Sequence, residues 1–102
     1  MKDIDDVIKR INYFRNKSNL SARELSLRIN KNAAYINQIE CKNFVVSLPV
    51  LFSIIEALEI SCAEFFSDDY ATYQEDKEIL ALLRALPLER KKSFLDLMRN
   101  TK

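Results

Sequence analysis

Asn32, Ala33, Ala34, Asn37 and Gln38 fall within seven positions and bring together side-chain amides and bare methyl groups. On one helix they would share an outer surface with Cys41, while Ile36 and Ile39 turn inward at a spacing of three. That surface carries no acid except Glu40. Amides that can make paired hydrogen bonds and methyls that can lie against thymine suit a DNA groove. Catalytic chemistry has no comparable footing. The chain has no His, which removes the usual general base near neutral pH and the commonest zinc ligand. It also has no Gly, which excludes Walker loops, dinucleotide fingerprints and nucleophile elbows. The chain reads as a non-enzyme that needs no cofactor or metal.

Two short helices must hold that surface, within the stretch Ser21 to Glu40. Leu25 and Ile29 share one face of the first, and Ile36 and Ile39 one face of the second. Ser21 with Glu24 three residues on makes a capping box. The polar run Ile29-Asn30-Lys31-Asn32 predicts a tight turn that sets the helices at a steep angle, with Asn30 left-handed and Asn32 capping a helix over 32–41.

Ahead of this pair, Asp3 to Lys17 reads as an amphipathic helix with the inward stripe Ile4, Val7, Ile8, Ile11 and Phe14. Its acids lie at the start and its bases towards the end, as the helix dipole favours. Behind the pair, a loop over 41–46 leads to Ser47, a cap for a fourth helix with Pro49 in its first turn. Its apolar residues Leu48, Leu51, Phe52, Ile54, Ile55 and Leu58 predict the central core helix. Ser61 then caps a short helix, Cys62 to Phe66, whose Phe65 and Phe66 close the core.

Past a polar break at 67–70, two more helices are expected over about 72–85 and 88–100, split by Leu86-Pro87 as a hairpin. Ile79, Leu83 and Leu86, with Phe94, Leu97 and Met98, belong to a set of apolar residues larger than one hairpin can bury alone. They predict a dimerisation surface or a hairpin folded back on the first domain, with dimerisation preferred. The expected fold is therefore all-α, with a five-helix domain over 1–67 and a C-terminal two-helix hairpin over 68–102.

The 102 residues suit one globular domain with an appendage. Cys41 and Cys62 lack C-x-x-C spacing and are expected as buried or half-exposed thiols. No apolar run is long enough to span a membrane, and the charged start MKDIDDVIKR is unlike a signal peptide, so a cytoplasmic location with no membrane partner is expected. The net charge of +1 hides an asymmetry: residues 1–46 hold nine Lys and Arg against five acids, a net of +4, and the rest of the chain comes to −3. A basic face attached to an acidic or neutral oligomerisation part would leave this pattern.

The segment Arg10 to Phe66 resembles the Cro and phage-repressor-like helix-turn-helix family, also called the xenobiotic-response-element family of bacterial regulators, whose domain is lambda-repressor-like. The resemblance rests on Ile11, Phe14, Arg15, Leu20-Ser21, Glu24-Leu25, Ile36, Ile39 and Glu40. It continues through Ser47-Leu48, Leu51, Ile54, Ala57-Leu58, Ile60-Ser61 and Glu64-Phe65-Phe66. It implies a DNA-binding transcriptional regulator, generally a repressor, that inserts helix 32–41 into the major groove of a palindromic operator as a homodimer. Asn37 and Gln38 would read bases, preferably adenine; Ala33 and Ala34 would touch thymine methyls; Asn32 would reach a base edge or a phosphate. Ser21, Arg23, Lys31, Tyr35, Lys42 and Asn43 are the candidates for phosphate contacts. By the same resemblance Arg15 and Glu40 form a partly buried structural ion pair.

Departures from the family pattern lie at Ala22, in place of a backbone-reaching Gln, and at Asn19, Asn30, Lys42 and Glu59, all in place of Gly. With no Arg on the reading surface, an A/T-leaning site is expected. Two other readings stay open: an antitoxin or antagonised regulator whose C-terminal hairpin clasps a partner protein, and a helix-turn-helix fold used for protein contacts only.

Overall fold

The computed structural model describes residues 3–100, and among them the fold is all-α, with seven helices and no strand. In chain order these are α1 (Ile4–Lys17), α2 (Ala22–Arg28), α3 (Tyr35–Glu40), α4 (Leu48–Ala57), α5 (Cys62–Phe65), α6 (Tyr73–Arg84) and α7 (Leu88–Arg99). The chain divides into two compact units between Asp68 and Asp69, one residue beyond the expected boundary. The outer limits of the expected domains, 1 and 102, lie outside the described residues.

Side-chain caps start four of the helices. Asp3, Ser21, Ser47 and Ser61 each accept a hydrogen bond from the backbone N–H three residues on, at Asp6, Glu24, Val50 and Glu64. Ser21 and Glu24 complete a reciprocal box, with Ser21 N–H donating to Glu24 Oε1 at 3.2 Å. The backbone and hydroxyl hydrogen bonds from Ser21 hold the Glu24 carboxyl below its ordinary 4.5.

Four helices end alike. After α1, α2, α3 and α4 the chain turns through a left-handed residue, at Asn19 (φ 57°), Asn30 (φ 60°), Lys42 (φ 64°) and Glu59 (φ 58°). Each time the left-handed N–H and the next one bond back to carbonyls of the last turn, as in Leu20 N–H to Arg15 O and Lys31 N–H to Ser26 O. This is the Schellman arrangement, which a Gly adopts without steric cost and a side-chain-bearing residue does not.

The core of the first unit is built from Ile8, Ile11 and Phe14 of α1, Leu25 of α2, Ile36 and Ile39 of α3, and Leu51, Ile54 and Ile55 of α4. Leu20, Leu58 and Phe65 complete it. The rings of Phe14 and Phe65 lie 5.8 Å apart, so α5 closes against α1. Burying each of these side chains stabilises the fold by about 1.5–3 kcal/mol before ordering costs.

Several expectations are corrected here. Ile4 is exposed, because it sits in the first turn beyond the reach of the core. Leu48 and Phe52 of α4 are exposed too, so the buried face of α4 is the narrower stripe Leu51, Ile54, Ile55 and Leu58. Phe65 is fully buried but Phe66, the C-cap residue of α5, is exposed, with its ring edge-on to that of Phe65 at 5.1 Å. Cys41 and Cys62 are both exposed thiols rather than buried or half-exposed ones. Each stands at a helix end: Cys41 follows α3 as its C-cap, and Cys62 opens α5.

Arg10 is a buried base that periodicity does not flag. It lies on the inner face of α1, and its Nη1 donates to the carbonyls of Phe65 (2.8 Å) and Ser67. It satisfies the carbonyls that α5 leaves open at its C-terminal end, where a cation is also favoured by the helix dipole.

The second unit has a different character. Neither α6 nor α7 buries a residue. Ile79, Leu80, Leu82, Leu88, Phe94, Leu95, Leu97 and Met98 are 40% to 68% exposed, and Leu83 and Leu86 are half-buried. Leu83, Arg84, Lys91, Phe94 and Leu95 line one groove of about 280 Å³ shared by the two helices.

Candidate nucleic-acid interface

The surface of amides and methyls is carried by α3 and by the segments on either side of it. α3 is shorter than expected: it begins at Tyr35, not Asn32, and Cys41 is its C-cap. The reason is local. Asn32 Oδ1 accepts from Ala34 N–H at 3.0 Å, and Asn32 O from Tyr35 N–H at 3.1 Å, so 32–34 close a turn of their own that competes with the helix. Asn32, Ala33 and Ala34 therefore belong to the connection over 29–34, and the expected tight turn is longer than Ile29-Asn30-Lys31-Asn32.

Its residues divide by exposure. Asn32, Ala34 and Asn37 are exposed, while Ala33 and Gln38 are half-buried. Cys41 Sγ lies 3.9 Å from Asn37 Oδ1, and Asn43 Nδ2 donates to Gln38 Oε1 at 2.8 Å. Among the phosphate-contact candidates, Ser21, Arg23, Lys31, Lys42 and Asn43 are exposed and Tyr35 is half-buried. Several are already engaged. The Ser21 hydroxyl caps α2, the Lys31 ammonium lies 5.3 Å from the Tyr35 ring centroid, and Lys42 Nζ pairs with Asp5 Oδ1 at 3.1 Å. Tyr35 also stacks on the exposed Phe44, with centroids 6.0 Å apart.

Three ties hold α3 in place. The first is Arg15 with Glu40: Nε to Oε2 at 2.7 Å and Nη2 to Oε1 at 2.9 Å, a two-pronged pair between α1 and the last residue of α3. Asn12 Nδ2 adds a bond to Glu40 Oε1 at 2.8 Å, and Arg15 Nη1 donates to Leu20 O at 2.9 Å. The hydrogen bond to Glu40 pushes the Arg15 guanidinium above its ordinary range, burial opposes it, and the Glu40 charge adds to it. Both side chains are mostly shielded, so the pair is coupled more strongly than a surface pair.

The second tie is Ser26, which periodicity alone does not single out. Its fully buried hydroxyl donates to Ala22 O at 2.7 Å and accepts from Ile36 N–H at 2.9 Å. α3 has no side-chain cap of its own, so a serine on α2 takes that place for one of its first N–H groups. Its only trace in the sequence is a small hydroxyl one position past Leu25 on the buried side of α2. The third tie is apolar: Ile36 and Ile39 are fully buried against the core.

The dimerisation candidates Ile79, Leu83, Leu86, Phe94, Leu97 and Met98 all lie in the second unit, on α6, α7 and the connection between them. Among the described residues no cluster of three or more Cys, Asp or Glu could hold a metal ion, and no helix is long and apolar enough to cross a membrane. No protein-family model, no curated protein and no solved structure matches the chain.

Proposed function

We propose that the protein is a sequence-specific double-stranded DNA-binding regulator, acting as a repressor, that lays α3 and its flanking turns in the major groove as a homodimer. The observation that carries this reading is the outer side of α3. It presents Asn37, Gln38 and the neighbouring Asn32 and Ala34, while Ser26, the Arg15–Glu40 pair and two buried isoleucines hold the helix from behind. A rigidly backed row of amides on a helix end is suited to reading base edges, where small errors of placement cost specificity. Arg23 and Lys31 flank it as phosphate contacts. This unit is a helix-turn-helix domain of five helices in this reading, and α6 with α7 form a dimerisation hairpin.

Charge complementarity supports a second copy as the occupant of that hairpin. α6 carries Glu75, Asp76 and Glu78 against Lys77 and Arg84, whereas α7 carries Arg90, Lys91, Lys92 and Arg99 against Glu89 and Asp96. An acidic α6 of one copy beside a basic α7 of the other covers both apolar faces and pairs the charges at their edges. A protein antagonist would occupy the same exposed leucines, in competition with the dimer.

The test is selection of bound fragments from a random duplex library at low and moderate salt. A palindrome with half-sites about one helical turn apart, bound with affinity falling steeply with salt, is expected. Gln38→Ala should cost about 1–3 kcal/mol at one base position, and Lys31→Ala should weaken all sequences nearly alike. Weak, salt-insensitive binding with no enriched site would replace this reading with one of protein contacts only.

A further inference from the structure

Asn43 stands just past α3, where an exposed polar residue is ordinarily a phosphate contact. Its geometry gives it a different task. The left-handed Lys42 folds the chain back so that Asn43 meets Gln38 twice. Asn43 N–H donates to Gln38 O at 2.9 Å, and Asn43 Nδ2 donates to Gln38 Oε1 at 2.8 Å. The backbone bond belongs to the helix-ending turn and holds Asn43 in register with Gln38, so the side-chain bond closes a small ring at little further cost in order.

Of the two amides on α3 itself, Gln38 is oriented by a short amide-to-amide hydrogen bond, whereas Asn37 meets only the Cys41 thiol at 3.9 Å; Asn32, in the turn before α3, is held by Ala34 N–H. A glutamine amide offers a carbonyl acceptor at one corner and an NH2 donor at the other, and a half-turn about its last torsion exchanges them. Free in water, such a side chain presents either corner to a base. With its carbonyl oxygen held by Asn43, Gln38 presents Nε2, a donor that matches the acceptors of the major groove: O6 and N7 of guanine, N7 of adenine and O4 of thymine. The oxygen keeps one lone pair, so a two-point contact with adenine is allowed only in the single orientation that Asn43 permits.

We propose that Asn43 is a specificity-determining positioning residue, which fixes the amide of Gln38 so that its NH2 group faces the base. The proposal rests on the DNA-reading function above and assigns Asn43 a role different from phosphate contact. A phosphate contact carries no sequence information, whereas an oriented amide does.

The experiment is library selection with the full chain and with N43A, N43D, Q38A and the double variant Q38A/N43A. Asn43 and Gln38 lie outside the core, so these substitutions leave it intact. In N43A the preference at the base position identified by Q38A should relax by about 2- to 10-fold, the worth of one net hydrogen bond. N43A should add nothing further in the Q38A background. In N43D the new carboxylate can only accept, so it should capture Gln38 Nε2 and turn the carbonyl outward. Preference at that one position should then move towards the donor-bearing bases, cytosine and adenine. The added negative charge would lower affinity for every sequence alike, which a position-by-position readout separates from the switch.

If N43A and N43D lower affinity evenly and leave that position unchanged, Asn43 is a phosphate contact and the proposal fails while the DNA-reading function stands. If the full chain enriches no sequence at all, the DNA-reading function fails and takes this proposal with it.

Discussion

Asn19, Asn30, Lys42 and Glu59 all hold the left-handed conformation, but not at equal cost. In each the Cβ atom crowds a backbone carbonyl oxygen at a cost of about 1–2 kcal/mol, which asparagine offsets through local hydrogen bonding and Lys or Glu does not. Glu59 is the clearest case, being exposed and the turning residue at the end of α4. Glu59→Gly should raise stability by about 0.5–1 kcal/mol once the greater freedom of unfolded glycine is set against the relieved strain. Thermal unfolding should shift upward by about 2–8 °C. Asn30→Gly should change little, and a Glu59→Gly variant that melts lower than the parent would show that this turn carries no strain. Asn19 and Glu59 could be picked out in a sequence with no glycine because three other cues coincide at each: the end of an apolar stripe, a polar residue, and a capping serine two residues on. Asn30 shows only the first two cues, and Lys42, five residues ahead of Ser47, is marked only by the resemblance. That Lys42 also turns Asn43 onto Gln38 was not legible, since a hydrogen bond between two side chains leaves no period in a sequence.

At the scale of elements, α3 has six residues, too few to be stable alone, so its position depends on what holds it from outside. Ser26 supplies one bond that nothing else replaces. Ser26→Ala should leave Ile36 N–H buried without its acceptor and cost about 1–3 kcal/mol in denaturant unfolding. Amide exchange should quicken at Ile36 more than at Leu25. Equal or greater stability in the alanine variant would mean that the helix finds another partner for that group. The helices themselves were legible through their caps, Ser21, Ser47 and Ser61, and through apolar spacing, because both signals act within one turn of chain. The start of α3 lies three residues later than its sequence signals place it. Asn32 closes a turn with its own side chain, and cap or turn is a choice that neighbouring structure makes.

For the whole molecule, the balance of buried and exposed surface differs sharply between the two units. The first places twelve apolar side chains in its core, while α6 and α7 bury none. Exposed apolar side chains along two successive helices, with opposite charge on each, are the surface that the proposed dimer would cover. The chain is expected to sediment at twice its 11.9 kDa, and Leu97→Asp with Phe94→Asp should reduce it to a monomer. Far-ultraviolet circular dichroism should show the first unit still helical, and operator affinity should fall because two half-sites are no longer linked. A parent chain that sediments as a monomer at operator-binding concentrations would overturn the dimer. Composition and periodicity by themselves determined that the molecule is helical, where most helices begin, and which stripe of each is apolar, since these follow from local geometry and from the distribution of apolar residues. Only the tertiary structure decided which of those apolar residues are buried, as Leu48, Phe52 and Phe66 show, and which polar residues are bound to one another across elements. Ser26 with Ile36, Arg10 with Phe65 and the closing of Glu40 onto both Asn12 and Arg15 all join residues far apart in the chain. Such bonds exist only once the helices have packed, because it is the packing that removes the water they would otherwise bind.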